Sequence, residues 1–138
     1  LRDFHVDNLI YLENKNGINQ VGLIDYQDAL LGSAAYDLVS LVEDVRRPIK
    51  EELKYSLIEI YSKLIFADQI ELQREIDFYS IQRNLKIIGI FSRLKYRDNK
   101  TNYFSMIEVA WSFINNHIKK SEYDDLKHWI DKIMKKRL

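Results

Sequence analysis

No cysteine occurs in this 138-residue chain. Disulfides and thiolate metal sites are thereby excluded, and a reducing cytosol fits. No run of about 18 apolar residues is present, so no membrane-spanning helix is expected. The opening Leu-Arg-Asp-Phe-His lacks the apolar core of a signal peptide, and the expected location is cytoplasmic, with no membrane partner. One proline and four glycines are all that interrupt the chain. Breakers are rare, and their positions carry information. Repeats and low-complexity segments are absent as well.

What is present is an ordinary globular composition, 46% hydrophobic and 30% charged, of a size for one domain or a large part of one. The net charge is zero but unevenly spread. Residues 1–48 hold eight acids against four bases, residues 49–78 seven against four, and residues 79–138 six against thirteen. An acidic front end suits a divalent cation. The lysines of the basic end are scattered rather than interleaved with aromatics. They read as a solvated helix surface, and nucleic acid is not an expected partner.

Asn8–Leu12 and Gln20–Ile24 are short, mostly apolar runs separated by Glu13-Asn14-Lys15-Asn16-Gly17. This pattern predicts a β-hairpin. Residues 25–35, with Gly32 and small side chains, read as a loop. Beyond them the periodicity is helical. Tyr36 to Val45 is densely apolar, and Pro48 is placed to open a second helix. Leu53, Leu57, Ile60, Tyr61, Leu64 and Ile65 mark that helix; Ile81, Leu85, Ile88, Phe91 and Leu94 mark a third. Arg97–Lys100 is a polar break. Phe104, Ile107, Trp111, Ile114 and Ile118 mark a fourth helix. A last one carries Tyr123, Leu126, Ile130 and Ile133, with Ser121 placed to cap it and Lys135, Lys136 and Arg137 suited to its negative end. The expected fold is mainly α with one small β-hairpin, and these apolar stripes are read as core.

Chemistry concentrates at the front. Asp3 and Asn8 stand five residues apart, and Asp25 follows the second apolar run. Phosphoryl transfer needs a carboxylate to receive the proton of the attacking hydroxyl and hard oxygens to hold Mg²⁺ against phosphates. The kinase pattern of a loop Asp, an Asn five residues on, and a second Asp after a hairpin supplies them. By spacing alone, the alternative is two solvated loop acids and an Asn capping a strand.

Ile24-Asp25-Tyr26-Gln27-Asp28-Ala29 followed by Gly32 and Asp37-Leu38 resembles the aminoglycoside phosphotransferase and choline kinase superfamily, whose fold is protein-kinase-like. Within it the chain looks most like the bacterial cell-wall sugar kinases, which phosphorylate the anomeric hydroxyl of N-acetylmuramate or N-acetylglucosamine in cell-wall recycling. Tyr36-Asp37-Leu38-Val39-Ser40-Leu41 supports this, as does Gln82-Arg83-Asn84-Leu85-Lys86-Ile87-Ile88-Gly89-Ile90-Phe91 with Arg93-Leu94 and Arg97-Asp98 behind it. The likeness covers nearly the whole chain.

The resemblance implies roles by position. Asp3 becomes the catalytic base, Asn8 and Asp25 the Mg²⁺ ligands, ATP the phosphate donor and a small sugar the acceptor. Asp37 is expected to brace the catalytic loop by accepting backbone hydrogen bonds; a first-turn acid of a helix is the plain alternative. His5, Asp7, Asp28 and Arg83 are candidate substrate contacts. For Arg83 the competing role is an internal ion pair.

The chain departs from the family in two places. Leu1 stands where the family carries a His two residues before the catalytic Asp. The chain also opens inside the catalytic loop, so residues 1–138 are expected to form only a kinase-like C-terminal lobe, with loops and hairpin in 1–35 and a helical subdomain in 36–138. The nucleotide-gripping lobe is expected elsewhere, in cis or in trans. A piece of a longer kinase, half of a split gene and a non-catalytic remnant that serves as an interaction domain are the three readings of that opening. The lone lobe is expected to be inactive and prone to self-association through its exposed lobe-facing surface.

Overall fold

The structure is a computed structural model and describes residues 1–135; Lys136 and Arg137, assigned above to the last helix end, lie outside the described residues. Strands β1 (Leu9–Tyr11) and β2 (Val21–Leu23) form one antiparallel pair. Five α-helices follow among the described residues: α1 (Ala34–Val42), α2 (Glu51–Leu64), α3 (Gln69–Tyr96), α4 (Phe104–His117) and α5 (Asp124–Lys135). The mainly helical lobe with a single hairpin is the architecture expected from the sequence. No helix of the described residues is long and apolar enough to cross a membrane. Two compact units are present, Leu1–Tyr79 and Ser80–Leu138.

In the first unit the hairpin pairs Leu9 with Leu23, Ile10 with Gly22 and Tyr11 with Val21. Two further bonds lengthen the ladder, Leu12 N–H to Gln20 C=O at 2.8 Å and Ile24 N–H to Asn8 C=O at 3.1 Å. The connection is wider than the five-residue turn expected, because a short 3-10 turn, Gly17–Gln20, follows it. Gly17 opens that turn at φ +58°, a conformation that costs glycine nothing.

Helix α1 starts where Ser33 caps it, its hydroxyl accepting from Ala35 N–H at 3.1 Å, as N-cap serines do. Its buried face, Ala35, Leu38, Val39 and Val42, forms the core with Leu72 and Ile76 of α3, and Ile49, Leu57, Ile58 and Tyr61 pack around it. Asp68 caps α3, its Oδ1 accepting from Ile70 and Glu71 N–H at 2.9 and 3.0 Å.

Two expectations are corrected here. Pro48 does not open α2, which begins at Glu51 behind an extended Lys50. Ile49, between Pro48 and that Lys50, packs against the core. The stripe read along α2 is also rotated. Leu53, Ile60 and Leu64 are exposed, while Lys54 and Ser62 are buried. Leu57 and Tyr61 of the same stripe do pack against the core, beside Ile58, and Lys54 is buried where its Nζ meets Glu43 Oε1 at 2.6 Å.

In the second unit Ile81, Ile114 and Ile118 form the centre, with Leu85, Ile88, Trp111, Tyr123, Leu126 and Ile130 around them. These are residues of the helical stripes read from the sequence. Ser121 falls within a 3-10 turn, and α5 opens three residues later at Asp124. Phe104 is half exposed and lies 3.2 Å under the Lys95 ammonium, a cation–π contact.

Candidate functional site

The first eight residues are held against α1 by acids. The Asp37 carboxylate, in the first turn of α1, accepts from the Leu1 nitrogen and, at 2.9 Å, from Arg2 N–H. Arg2 sits at φ +70°. A non-glycine residue pays about 1 kcal/mol or more for that conformation, so the surrounding contacts must hold it there. Asp3 follows, exposed to solvent. The chain then tightens into a 3-10 turn, Val6–Asn8, with Asn8 N–H bonded to His5 C=O at 2.9 Å.

Asn8 closes the loop on itself. Its Nδ2 donates to the Asp3 carbonyl at 2.9 Å, which commits the amide's donor side and leaves Oδ1 as its hard oxygen. Its backbone carbonyl meets Ile24 N–H across the hairpin. Carrying the register one step on sets Asp25 beside the 7–8 segment. Asp25 adopts φ +58°, and its Oδ1 accepts from Gln27 Nε2 at 2.6 Å. So Asn8 is tied on one side to the Asp3 backbone and on the other to Ile24, the residue before Asp25.

The other candidates are less concentrated. His5 Nε2 lies 3.5 Å from Asn8 Nδ2, and its Nδ1 is buried without a partner. Asp7, 56% exposed, faces Arg46 Nε at 3.5 Å. Asp28 is exposed in the turn closed by Ala29 N–H and Tyr26 C=O. Arg83 belongs to the second unit, on α3, and is buried at 5% exposure.

A layer of buried charge beneath the loop escaped the sequence reading. Glu43 and Asp44, just past α1, are 0% and 2% exposed. Lys54 Nζ meets Glu43 Oε1 at 2.6 Å. Asp44 Oδ1 accepts from Arg46 N–H at 3.0 Å, and Arg46 Nη1 lies at 3.4 Å; its Oδ2 faces Val6 N–H at 3.4 Å. The legible signal was positional. Two acids at the negative end of an apolar helix are unfavourable unless partners wait for them.

Near the other end of α1, Tyr61 Oη donates to the Ala34 carbonyl at 3.2 Å. Burial pushes the Tyr61 hydroxyl up from its ordinary 10.0, and the charges of Asp37 and Glu75 add to the rise. Ser33 Oγ donates to Glu75 Oε2 at 2.9 Å, fixing the start of α1 from α3.

A carboxylate on a loop pinned to a helix start, an Asn folded back on that loop, and a second carboxylate just past a hairpin strand lie within the first unit of this mainly helical chain. The chain belongs to the phosphotransferase enzyme family, whose model matches residues 1–77. It is similar to the N-acetylmuramate/N-acetylglucosamine kinase of Caulobacter vibrioides, 32% identical over 136 residues, 95% of this chain and 36% of that protein. The kinase of the same name from Neisseria meningitidis is 38% identical over 109 residues, 74% of this chain and 31% of that protein. That from Pseudomonas aeruginosa is 29% identical over 126 residues. The chain thus spans about a third of the length of the curated relatives it matches.

Proposed function

We propose that this chain supplies the catalytic-loop lobe of an ATP- and Mg²⁺-dependent kinase that phosphorylates a hydroxyl of N-acetylmuramate or N-acetylglucosamine in the cytoplasm. The observation that carries the sugar class is the reach of the likeness. The family model matches residues 1–77, whereas the alignment to the Caulobacter kinase runs over 136 residues. It therefore includes the second unit, outside the shared catalytic motif.

The donor set fits Mg²⁺. Asn8 Oδ1 and the Asp25 carboxylate are hard oxygens, and Mg²⁺ takes one or two protein ligands while keeping its waters and phosphate oxygens. Asn8 and Asp25 would hold it; when bound, the ion neutralises charge on the phosphates. Asp3 accepts the proton of the sugar hydroxyl as its oxygen bonds to the γ-phosphorus and the bond to the β-phosphate oxygen breaks. Asp37 fixes the backbone before Asp3, and Asn8 fixes the backbone of Asp3 itself. His5, Asp7 and Asp28 are the candidate acceptor contacts within the first unit, whereas Arg83 is buried in the second.

Binding of ATP requires a nucleotide-gripping lobe, in cis or in trans. The exposed Ile10, Tyr11, Ile18, Val21, Leu23 and Leu31 of the hairpin and following loop are the apolar surface such a lobe would cover; left bare, it favours self-association. The test supplies that lobe and offers four acceptors: N-acetylmuramate, N-acetylglucosamine, an aminoglycoside and choline. Transfer from ATP to the amino sugars is expected. Transfer to the aminoglycoside or to choline alone sends the assignment to another branch of the family.

A further inference from the structure

We propose that Asp44 is a positioning residue for the catalytic loop. It holds the Val6–Asn8 turn through its own carboxylate and, by way of Arg46, through Asp7. The inference rests on the kinase reading above and adds a group that the sequence motif does not contain.

A carboxylate at 2% exposure loses its hydration and is retained only where partners replace it. Arg46 N–H and Nη1 stand at one oxygen, and Val6 N–H at the other. The Val6 contact is long at 3.4 Å, and its acceptor is a charged carboxylate, the stronger kind of hydrogen-bond acceptor. Arg46 is the second arm. Its Nε reaches Asp7 Oδ2 at 3.5 Å while Nη1 faces Asp44, so one guanidinium spans two carboxylates from opposite sides. Asp7 is the middle residue of the turn, and Val6 is its first.

The geometry then has a symmetry. Asp37 lies in the first turn of α1 and Asp44 just past its last residue, so the two carboxylates stand at opposite ends of the same helix. Asp37 takes Arg2 N–H, and Asp44 faces Val6 N–H. Asp3 lies between these two anchor points, and Asn8 lies two residues beyond the second. Without the second anchor the loop keeps Asp37 at its start and the bonds of Asn8 to Asp3 and Ile24 at its end, but the Val6–Asp7 stretch between them loses its tie to the end of α1. Small misplacement of reacting groups costs about a hundredfold in rate.

Asp44→Asn preserves size and removes the charge. Amide exchange read by mass spectrometry on the full-length protein is the first readout, because it needs no substrate. Loss of a bond to a charged group is expected to speed exchange at Val6 about tenfold, with the α3 amides unchanged. Arg46→Met, at a half-buried site that tolerates change, should speed the same amides by a smaller factor. It keeps the test open if Asp44→Asn does not fold. In the same preparations kcat for amino-sugar phosphorylation should fall about 10- to 100-fold while the sugar KM stays put. Lys63→Ala, an exposed control, should change neither readout. Unchanged Val6 exchange in folded variants overturns the proposal, as does faster exchange with an unchanged kcat. A wild-type protein that phosphorylates no amino sugar overturns the functional reading instead, and the exchange data then decide the anchoring by themselves.

Discussion

Arg2 and Asp37 are separated by 35 residues in sequence, and a 2.9 Å hydrogen bond joins the backbone N–H of one to the carboxylate of the other. That bond ties the residue before Asp3 to the first turn of α1, whose other face is core. The loop that presents Asp3 is in this way referenced to the most buried helix of the first unit. Asp37→Ala is expected to lower turnover by about 10- to 100-fold. Because the carboxylate is partly exposed, the thermal midpoint should move much less than for a core truncation. Steady-state kinetics beside a melting curve separates the two effects.

Asp3→Asn should leave the fold intact, since Asp3 is exposed and its backbone carbonyl, not its side chain, receives the Asn8 bond. Turnover should drop by about 10²- to 10⁴-fold, the contribution of a positioned general base. Retention of normal turnover with the nucleotide-binding lobe present would remove Asp3 from the base role.

Asp25→Asn and Asn8→Ala should each weaken metal binding by about 10- to 100-fold. Titration with Mn²⁺ followed by electron paramagnetic resonance reads this directly. Asn8→Ala should also loosen the loop, because it deletes the bond to the Asp3 carbonyl; Asp25→Asn should not. Equal loosening by both variants would argue against separate roles.

Lys54→Met is expected to destabilise by about 3–5 kcal/mol, the range for removing one partner of a buried ion pair. Glu43 has no solvent exposure with which to compensate. The double variant Glu43→Gln/Lys54→Met should recover much of the loss, since a neutral, well-packed replacement is often nearly isoenergetic. Urea unfolding of the wild type, Lys54→Met, Glu43→Gln and the double variant gives the coupling energy.

Tyr61 sets an alkaline limit. Its hydroxyl is held above the ordinary 10.0 in the folded chain. The unfolded chain therefore releases this proton first as pH rises. The stability that Tyr61 contributes is complete below about pH 10 and is lost as pH climbs through the folded value. Tyr61→Phe should flatten the stability curve above pH 10 while giving up the 3.2 Å bond to the Ala34 carbonyl. An alkaline slope identical in both proteins would assign the loss to other groups.

The hairpin was legible because two apolar runs flank an Asn-Gly turn, and the helices because their stripes repeat at helical spacing. The bonds of Asn8 to Asp3 and to Ile24 follow from a tight loop and strand pairing, which the spacing of Asp3, Asn8 and Asp25 permits. The buried charges were hidden. Glu43 and Lys54 read as surface residues to any scheme that weighs residue type alone, yet they are buried together, while Leu53, Ile60, Leu64 and Ile65 of the expected stripe are exposed and only Leu57 and Tyr61 reach the core. Pro48 misled for a related reason. A proline suits a helix start, but here the following Ile49 was needed in the core, and the helix waited two more residues.

Asp25 stands at φ +58°, where a glycine would rest without cost and an asparagine with little. Folding and chemistry therefore want different residues at this position. A library screened only for heat tolerance or soluble yield is expected to drift toward Gly or Asn there. It would deliver a sturdier lobe that has lost an acid of its proposed metal site. Any engineering of this chain for robustness has to hold position 25 fixed, or select for turnover at the same time.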